Sequence, residues 1–140
     1  MSKRLILIVA VVAIATILVG GSYAVARLAA DAEIPAASLA GPFFSVTRTP
    51  AELSFVCTEE AAPEGATVET GWALLGLVGP FPFSMVGVLA SVLQPLAAAG
   101  VSIFALSTFD TDYVLVKREK LDDALAALAA AGHVVVESPA

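Results

Sequence analysis

The second half of the chain contains a series of apolar runs whose order few folds accommodate. Trp72 to Val78 is continuously apolar, which is typical of a strand buried on both faces. Val86 to Ala99 and Leu121 to Ala131 carry apolar residues at helical spacing, and a glycine follows each of them. Shorter apolar runs at 101–106, 113–117 and 133–137 have the length of strands. The order β-α-β-β-α-β predicts a ferredoxin-like fold of the α/β (α+β) class.

The first predicted helix has one apolar stripe and one interruption. Its stripe consists of Val88, Leu89, Val92, Leu93 and Leu96. Pro95 has no N–H to donate to the carbonyl of Ser91, four residues earlier, so one helical hydrogen bond must be missing. We therefore expect this helix to bend near Pro95.

The first half of the chain has several strand-like runs but only short helical turns. Gly20-Gly21 predicts a hairpin turn between two strands, and further strands are expected at 43–47 and 53–57. Thr49 to Glu52 has the pattern of a compact capping box, in which each residue bonds the backbone of the other. Glu59 to Glu69 is acidic and contains Pro63 and Gly65, which is typical of a solvated linker. We expect these strands to pack beside the second half in one joined α/β body.

The apolar N-terminus leaves two interpretations open. No charge occurs over the 22 residues from Leu5 to Ala26, and about 20 suffice to cross a bilayer. Lys3-Arg4 before this run and a small-residue triplet at its end also fit a secretory signal. The β-branched residues of Leu5 to Val19 instead favour strands. We expect a cytoplasmic protein in which residues 1–13 form an extension; the alternative is a membrane anchor or signal at residues 5–22.

Composition argues against several classes of function. The chain is 59% hydrophobic and 14% charged, so it can bury a sizeable core. A net charge of −6 with scattered lysines and arginines argues against nucleic-acid binding. Cys57 is the only cysteine and His133 the only histidine, so there is neither zinc spacing nor a nucleophile–base motif. We predict a protein without enzyme activity, metal or cofactor.

Features suited to a small ligand gather at two segments of the second half. Ser84 to Gly87 open the first predicted helix, whose free amides and dipole attract a carboxylate. Asp112 follows a polar turn that begins at Ser107, and its carboxylate could bind an ammonium group, with Thr108 and Phe109 beside it. A free α-amino acid requires both kinds of partner. The alternative is that Asp110 and Asp112 only stabilise the turn.

The chain resembles the small bacterial proteins built from two tandem ACT domains, which are similar to the regulatory end of aspartate kinases and to the CASTOR arginine sensors. The resemblance covers about residues 14–136. It is carried by Phe43, Ser45-Val46-Thr47-Arg48-Thr49, Glu52-Leu53-Ser54, Gly71-Trp72, Gly79-Pro80, Gly87 and the run Ser107-Thr108-Phe109-Asp110-Thr111-Asp112-Tyr113. The turn within the last run is the most specific part.

This resemblance implies a degenerate ACT module at residues 14–70 and a complete one at 71–137. It also implies a homodimer that binds a small amino acid and regulates by an allosteric change. The ligand-binding residues it implies are Pro82, Met85, Val86, Gly87, Thr108, Phe109 and Asp112. Met85 stands where the arginine sensor has an acidic residue, so an uncharged or apolar ligand side chain is expected. The alternative functions are an interaction module without a metabolite ligand, and a membrane-tethered domain.

Overall fold

The computed structural model describes residues 13–138, and its seven strands lie in one sheet with two helices. The strands are β1 (Ala15–Leu28), β2 (Ser45–Arg48), β3 (Leu53–Thr58), β4 (Thr67–Leu77), β5 (Ile103–Ser107), β6 (Asp112–Lys117) and β7 (Val134–Glu137). The helices are α1 (Val88–Ala98) and α2 (Leu121–Ala130). The predicted β-α-β-β-α-β order of the second half is confirmed, with boundaries that differ by up to five residues from the predicted ones.

The two halves of the chain share this sheet through β1. The strand order is β2-β3-β1-β4-β6-β5, and β7 pairs with β1. Near its start β1 pairs antiparallel with β4 on one side and parallel with β7 on the other. Its second half pairs with β3 instead of β7. The joined α/β body is therefore confirmed, and β1 lies between two strands of the second half.

The hairpin predicted at Gly20-Gly21 is wrong. β1 continues through these residues, and its register with β4 shifts between Val19 and Tyr23. Gly21 has a φ of +98°, in the left-handed region that glycine adopts without strain. The register shift marks a β-bulge at residues 20–22. A β-bulge bends a strand and increases its twist, but the strand does not reverse direction. The glycine pair therefore lets one long strand serve both ends of the sheet.

The alternative of a helical anchor at residues 5–22 is wrong over its second half. Residues 15–22 belong to β1, where the side chain of Thr16 is fully buried. Residues 1–12, which make up most of the predicted extension, lie outside the described residues. Between residues 13 and 138, no helix is both long and apolar enough to cross a membrane.

Both helices cover the same face of the sheet. The predicted α1 stripe is confirmed: Val88, Val92 and Leu96 are buried, and Leu89 and Leu93 are partly buried against the same cluster. Alternate residues of the strands complete this cluster, namely Ala73, Leu75 and Leu77 of β4, Val114 and Val116 of β6, with Ala124 and Leu128 from α2. On the opposite face, a second cluster contains Tyr23, Trp72, Leu74 and Leu115, with Phe43 packed against it. The prediction that β4 is buried on both faces is confirmed.

His133 occupies the position where α1 lacks a backbone hydrogen bond. Its Nε2 lies 2.7 Å from the carbonyl oxygen of Ser91, which Pro95 leaves without a helical donor. Its Nδ1 accepts a hydrogen bond from the amide of Ile14 at 2.9 Å, so the ring hydrogen is on Nε2. Nε2 therefore donates a hydrogen bond to the carbonyl oxygen of Ser91. His133 is 4% exposed, and its role is therefore structural. The bend at Pro95 stays a prediction.

Two loops of the first half, at 49–52 and 59–69, differ in part from the predictions. The amide of Glu52 donates to the Thr49 hydroxyl at 3.1 Å, as predicted. The amide of Thr49, however, donates to the backbone carbonyl of Glu52 and not to its side chain. The stretch from Glu59 to Glu69 is not simply a solvated linker, because β4 already begins at Thr67. One carboxylate oxygen of Glu59 accepts hydrogen bonds from the Ser22 hydroxyl and the Gly71 amide.

A candidate ligand site between the first helix and the polar turn

Two loops meet where β4 ends and β6 begins. The loop at 78–87 connects β4 to α1, and the turn at 108–111 connects β5 to β6. The Phe81 amide donates to the carbonyl of Asp110 at 2.8 Å, and the Thr111 hydroxyl donates to the carbonyl of Leu77 at 2.6 Å. These bonds hold the loop and the turn together, although they lie about 30 residues apart in the chain.

Gly79 permits the close approach of these loops. A Cβ atom at this position would lie 2.8 Å from the carbonyl oxygen of Asp110 and 3.2 Å from the Thr111 side chain. Both neighbours are held by hydrogen bonds, so neither can move away at little cost. Glycine is therefore required here for steric reasons.

The turn is closed mainly by threonines. The Thr108 amide donates to the carbonyl of Thr111 at 2.8 Å, and the Thr111 amide donates to the Thr108 hydroxyl at 3.3 Å. The Ser107 hydroxyl donates to one carboxylate oxygen of Asp112 and so fixes that side chain at the start of β6. Ser107 therefore orients the side chain of Asp112, whereas the hydrogen bonds between Thr108 and Thr111 stabilise the turn.

A cavity of about 190 Å³ lies between the loop and the turn. Its lining residues are Phe81, Pro82, Phe83, Met85, Val88, Ser107, Thr108, Phe109, Asp110, Thr111 and Asp112. Val88 is the first residue of α1 and Asp112 the first of β6. The cavity is therefore bounded by both a helix N-terminus and a carboxylate.

Five of the seven predicted ligand residues line this cavity, namely Pro82, Met85, Thr108, Phe109 and Asp112. Val86 and Gly87 do not line it. Val86 is 89% exposed, and Gly87 precedes α1 with a φ of +82°. The helix begins two residues later than predicted, so Ser84 does not open it. The assignment of these residues to a ligand site stays a prediction.

Sequence reasoning missed the aromatic lining contributed by Phe81 and Phe83. Their alternation with prolines after Gly79 was the available signal, since neither fits a helix or a continuous strand. Phe83 packs edge-to-face against Phe109, with ring centroids 4.9 Å apart. These two rings are 76% and 79% exposed, so the mouth of the cavity has an apolar rim.

The lining carries negative charge without positive charge. Asp110 and Asp112 are its charged residues, and neither lysine nor arginine lines it. Within residues 13–138, the salt bridges join Lys117 to Glu69 and Lys120 to Asp123, so neither involves Asp112. The side chain of Asp112 therefore faces the cavity with one hydroxyl partner and without a neutralising cation.

Comparison with known proteins identifies the family. The ACT domain family matches residues 67–130, and a model of an N-terminal domain matches residues 21–65. A crystal structure of an Agobacterium tumefaciens protein is 40% identical, with a TM-score of 0.85 over 91% of this chain and 96% of that one. The regulatory subunit of aspartate kinase from Thermus thermophilus shares the fold at 20% identity, with a TM-score of 0.57 over 79% of this chain and 91% of that subunit. The chain thus contains an ACT domain at residues 67–130.

Two curated proteins are similar to parts of the chain. Human putative protein CASTOR3P is 33% identical over 92 residues, which are 56% of each chain. The bovine cytosolic arginine sensor for mTORC1 subunit 1 is 31% identical over 98 residues, which are 62% of this chain and 30% of that protein. The chain thus spans about half or less of the curated relatives it matches. Over this part of their length the chain is similar to CASTOR proteins.

Proposed function

We propose that the chain binds a free α-amino acid in the cavity between the loop at 78–87 and the polar turn. One observation supports this most directly: the first residue of α1 and the carboxylate of Asp112 line the same cavity. The first amides of a helix have no helical acceptor and attract an anionic group, here the ligand carboxylate. Asp112 would accept charge-assisted hydrogen bonds from the ligand ammonium.

The rest of the lining favours an uncharged or apolar ligand side chain. Phe81, Phe83, Met85 and Phe109 are among its apolar lining residues. Met85 cannot pair with a guanidinium group, although the bovine relative is described as an arginine sensor. The cavity volume of about 190 Å³ is below the roughly 300–1,000 Å³ of sites for drug-sized ligands, which suits a small amino acid.

Regulation would follow from a difference in ligand affinity between two states of the protein. A ligand shifts an equilibrium only by the difference in its binding free energies to the two states. We propose that these states differ in conformation or in self-association, with a homodimer as the assembled form. A cytoplasmic location would agree with the relative described as cytosolic.

The function is tested by measuring thermal unfolding of the full chain with each of the twenty amino acids. A ligand at about 100 times its Kd adds about 2.7 kcal/mol, which raises Tm by several degrees. We expect such a shift with one or a few uncharged amino acids. Asp112→Asn should then raise Kd about 10- to 100-fold, because the amide oxygen can still accept a hydrogen bond but no longer carries the negative charge that pairs with the ammonium.

Asp110→Asn is the matched control, since it removes the same charge from the same lining at an exposed position that Ser107 does not orient. A much smaller effect is expected there. Equal weakening by both substitutions would indicate a general electrostatic effect and contradict the assigned ammonium contact. Arginine as the preferred ligand would contradict the proposed side-chain class.

The exposed rim supports a second candidate function, an interaction module without a metabolite ligand. Phe83 and Phe109 are 76% and 79% exposed and pack against each other, and clustered exposed apolar side chains often mark a protein contact. A well-folded chain whose Tm is unchanged by all twenty amino acids would favour this function over amino-acid binding.

A further inference from the structure

Two phenyl rings at the mouth of the cavity meet at a right angle. Phe83 and Phe109, which we call the rim rings, have centroids 4.9 Å apart and an interplanar angle of 86°. Phe81 lines the same cavity and is half-buried. The face of a phenyl ring carries partial negative charge, so two perpendicular rings can attract one cation from two sides.

The rim rings belong to two segments that backbone hydrogen bonding holds together. Phe83 lies in the loop at 78–87, and Phe109 lies in the turn at 108–111. The hydrogen bond from the Phe81 amide to the Asp110 carbonyl joins the two segments close to both rings. A ligand between the rings would therefore meet walls whose backbone is already in place, which lowers the ordering cost of binding.

The charge of the lining favours a cationic group beside these rings. Asp110 and Asp112 line the cavity, and no lysine or arginine among residues 13–138 does so. A neutral apolar group would cover the rim rings but would leave both carboxylates without a counter-charge. The net charge of −6 adds to the negative potential that attracts a cation.

A primary ammonium group matches only part of this lining. It is strongly hydrated, and its N–H groups require hydrogen-bond acceptors, which Asp112 supplies and phenyl rings supply poorly. A methyl group on the nitrogen replaces one N–H by apolar surface and leaves the positive charge in place. Methylated ammonium groups therefore suit a site that combines carboxylates with exposed ring faces.

We infer that the ligand is an α-amino acid whose amino nitrogen carries one or two methyl groups. This inference rests on the proposed function, because it keeps the ligand carboxylate at the start of α1 and the charged nitrogen beside Asp112. A remaining N–H donates to the Asp112 carboxylate, and the methyl groups contact the faces of the rim rings. Methylation thus covers apolar surface that an unmethylated amino group leaves in water.

The inference is tested by isothermal titration calorimetry of the full chain with glycine, sarcosine and N,N-dimethylglycine. These ligands share one carboxylate and differ only in the number of methyl groups on nitrogen. We expect N,N-dimethylglycine to bind about 2- to 30-fold more tightly than glycine, with sarcosine between them, which is the range of a cation–π contact. Weaker binding with each added methyl group would overturn the inference.

A neutral compound of the same shape separates charge from apolar contact. In 3-methylbutanoate a carbon atom replaces the charged nitrogen of N,N-dimethylglycine. We expect it to bind at least about tenfold more weakly, because it cannot pair with Asp112 and is not attracted to the ring faces. Equal affinity for the two compounds would overturn the inference, since the cavity would then recognise shape without charge.

Substitution of the rim rings tests whether they recognise the methyl groups. Phe83→Leu with Phe109→Leu keeps apolar side chains at both exposed positions but removes the ring faces. We expect the preference for N,N-dimethylglycine over glycine to fall below about twofold, with the Tm of the free protein unchanged. Phe44→Leu is the matched control, because Phe44 is exposed but does not line the cavity, and it should keep the preference. A preference that survives in the double variant would contradict the assigned contact.

The same comparison distinguishes failure of this inference from failure of the proposed function. Any amino acid that raises Tm in the screen is titrated beside its own N-methyl derivative. Tighter binding of the unmethylated form would overturn the inference and leave amino-acid binding intact. Absence of binding by the methylated compounds and by all twenty amino acids would overturn both.

Discussion

At the scale of single residues, Glu59 has a larger structural role than its acidic surroundings suggest. Its carboxylate accepts hydrogen bonds from the Ser22 hydroxyl at 2.7 Å and from the Gly71 amide at 2.8 Å. These two hydrogen bonds, with a smaller contribution from the charge of Arg118, lower the pKa of Glu59 below its ordinary value. Glu59 therefore links β1 at Ser22 to β4 at Gly71, where the buried part of β4 begins.

The lowered pKa of Glu59 predicts a dependence of stability on pH. A carboxyl group with a lower pKa in the folded state stabilises the protein above its unfolded pKa of about 4.3. This contribution is lost as the pH falls through the folded pKa. We expect Glu59→Gln to lower the urea midpoint at pH 7, and the difference from the native chain to shrink on acidification. Glu60→Gln, on an exposed neighbour, should show no such pattern, and parallel curves for Glu59→Gln would contradict the assignment.

At the scale of elements, α1 depends on a residue outside itself. Pro95 leaves the Ser91 carbonyl without its helical donor, and His133 approaches that oxygen from 42 residues away. The same imidazole accepts from Ile14, just before β1. One side chain thus ties α1, β1 and the segment before β7 together.

This arrangement predicts energetic coupling between positions 95 and 133. His133→Ala should destabilise the chain by about 1–3 kcal/mol, because it leaves buried polar groups unpaired. Pro95→Ala restores a backbone N–H that can donate to Ser91, so His133→Ala should cost about 1 kcal/mol less in that background. Urea denaturation of the two single variants and the double variant measures this coupling. Additive effects would show that the Ser91 contact contributes little.

At the scale of the whole molecule, the insertion of β1 joins the two halves into one folding unit. β1 lies between β4 and β7, so removing it would leave both strands without a partner along that edge. Leu18 of β1 and Ile14, which directly precedes β1, also belong to the cluster beneath the helices. The division into modules at residues 14–70 and 71–137 stays a prediction about sequence, and it does not imply that either half folds alone.

We therefore expect a fragment of residues 67–138 not to fold cooperatively, although it contains all six elements of the β-α-β-β-α-β series. Circular dichroism and amide dispersion in NMR spectra would measure this, with residues 13–138 as the control. A sharp, reversible thermal transition in the short fragment would contradict the prediction.

The sequence by itself determined the elements of the second half and the segments that form the cavity. Strand and helix periods are local properties, so the buried run of β4, the stripe of α1 and the polar turn before Asp112 could be recognised without neighbours. Strand partners are different, because pairing depends on residues far apart in the chain. Only the tertiary structure decided that β1 continues through Gly20-Gly21 and lies between β4 and β7. It also decided that His133 completes α1 and that Phe81 and Phe83 line the cavity, since each depends on a contact that no local pattern encodes.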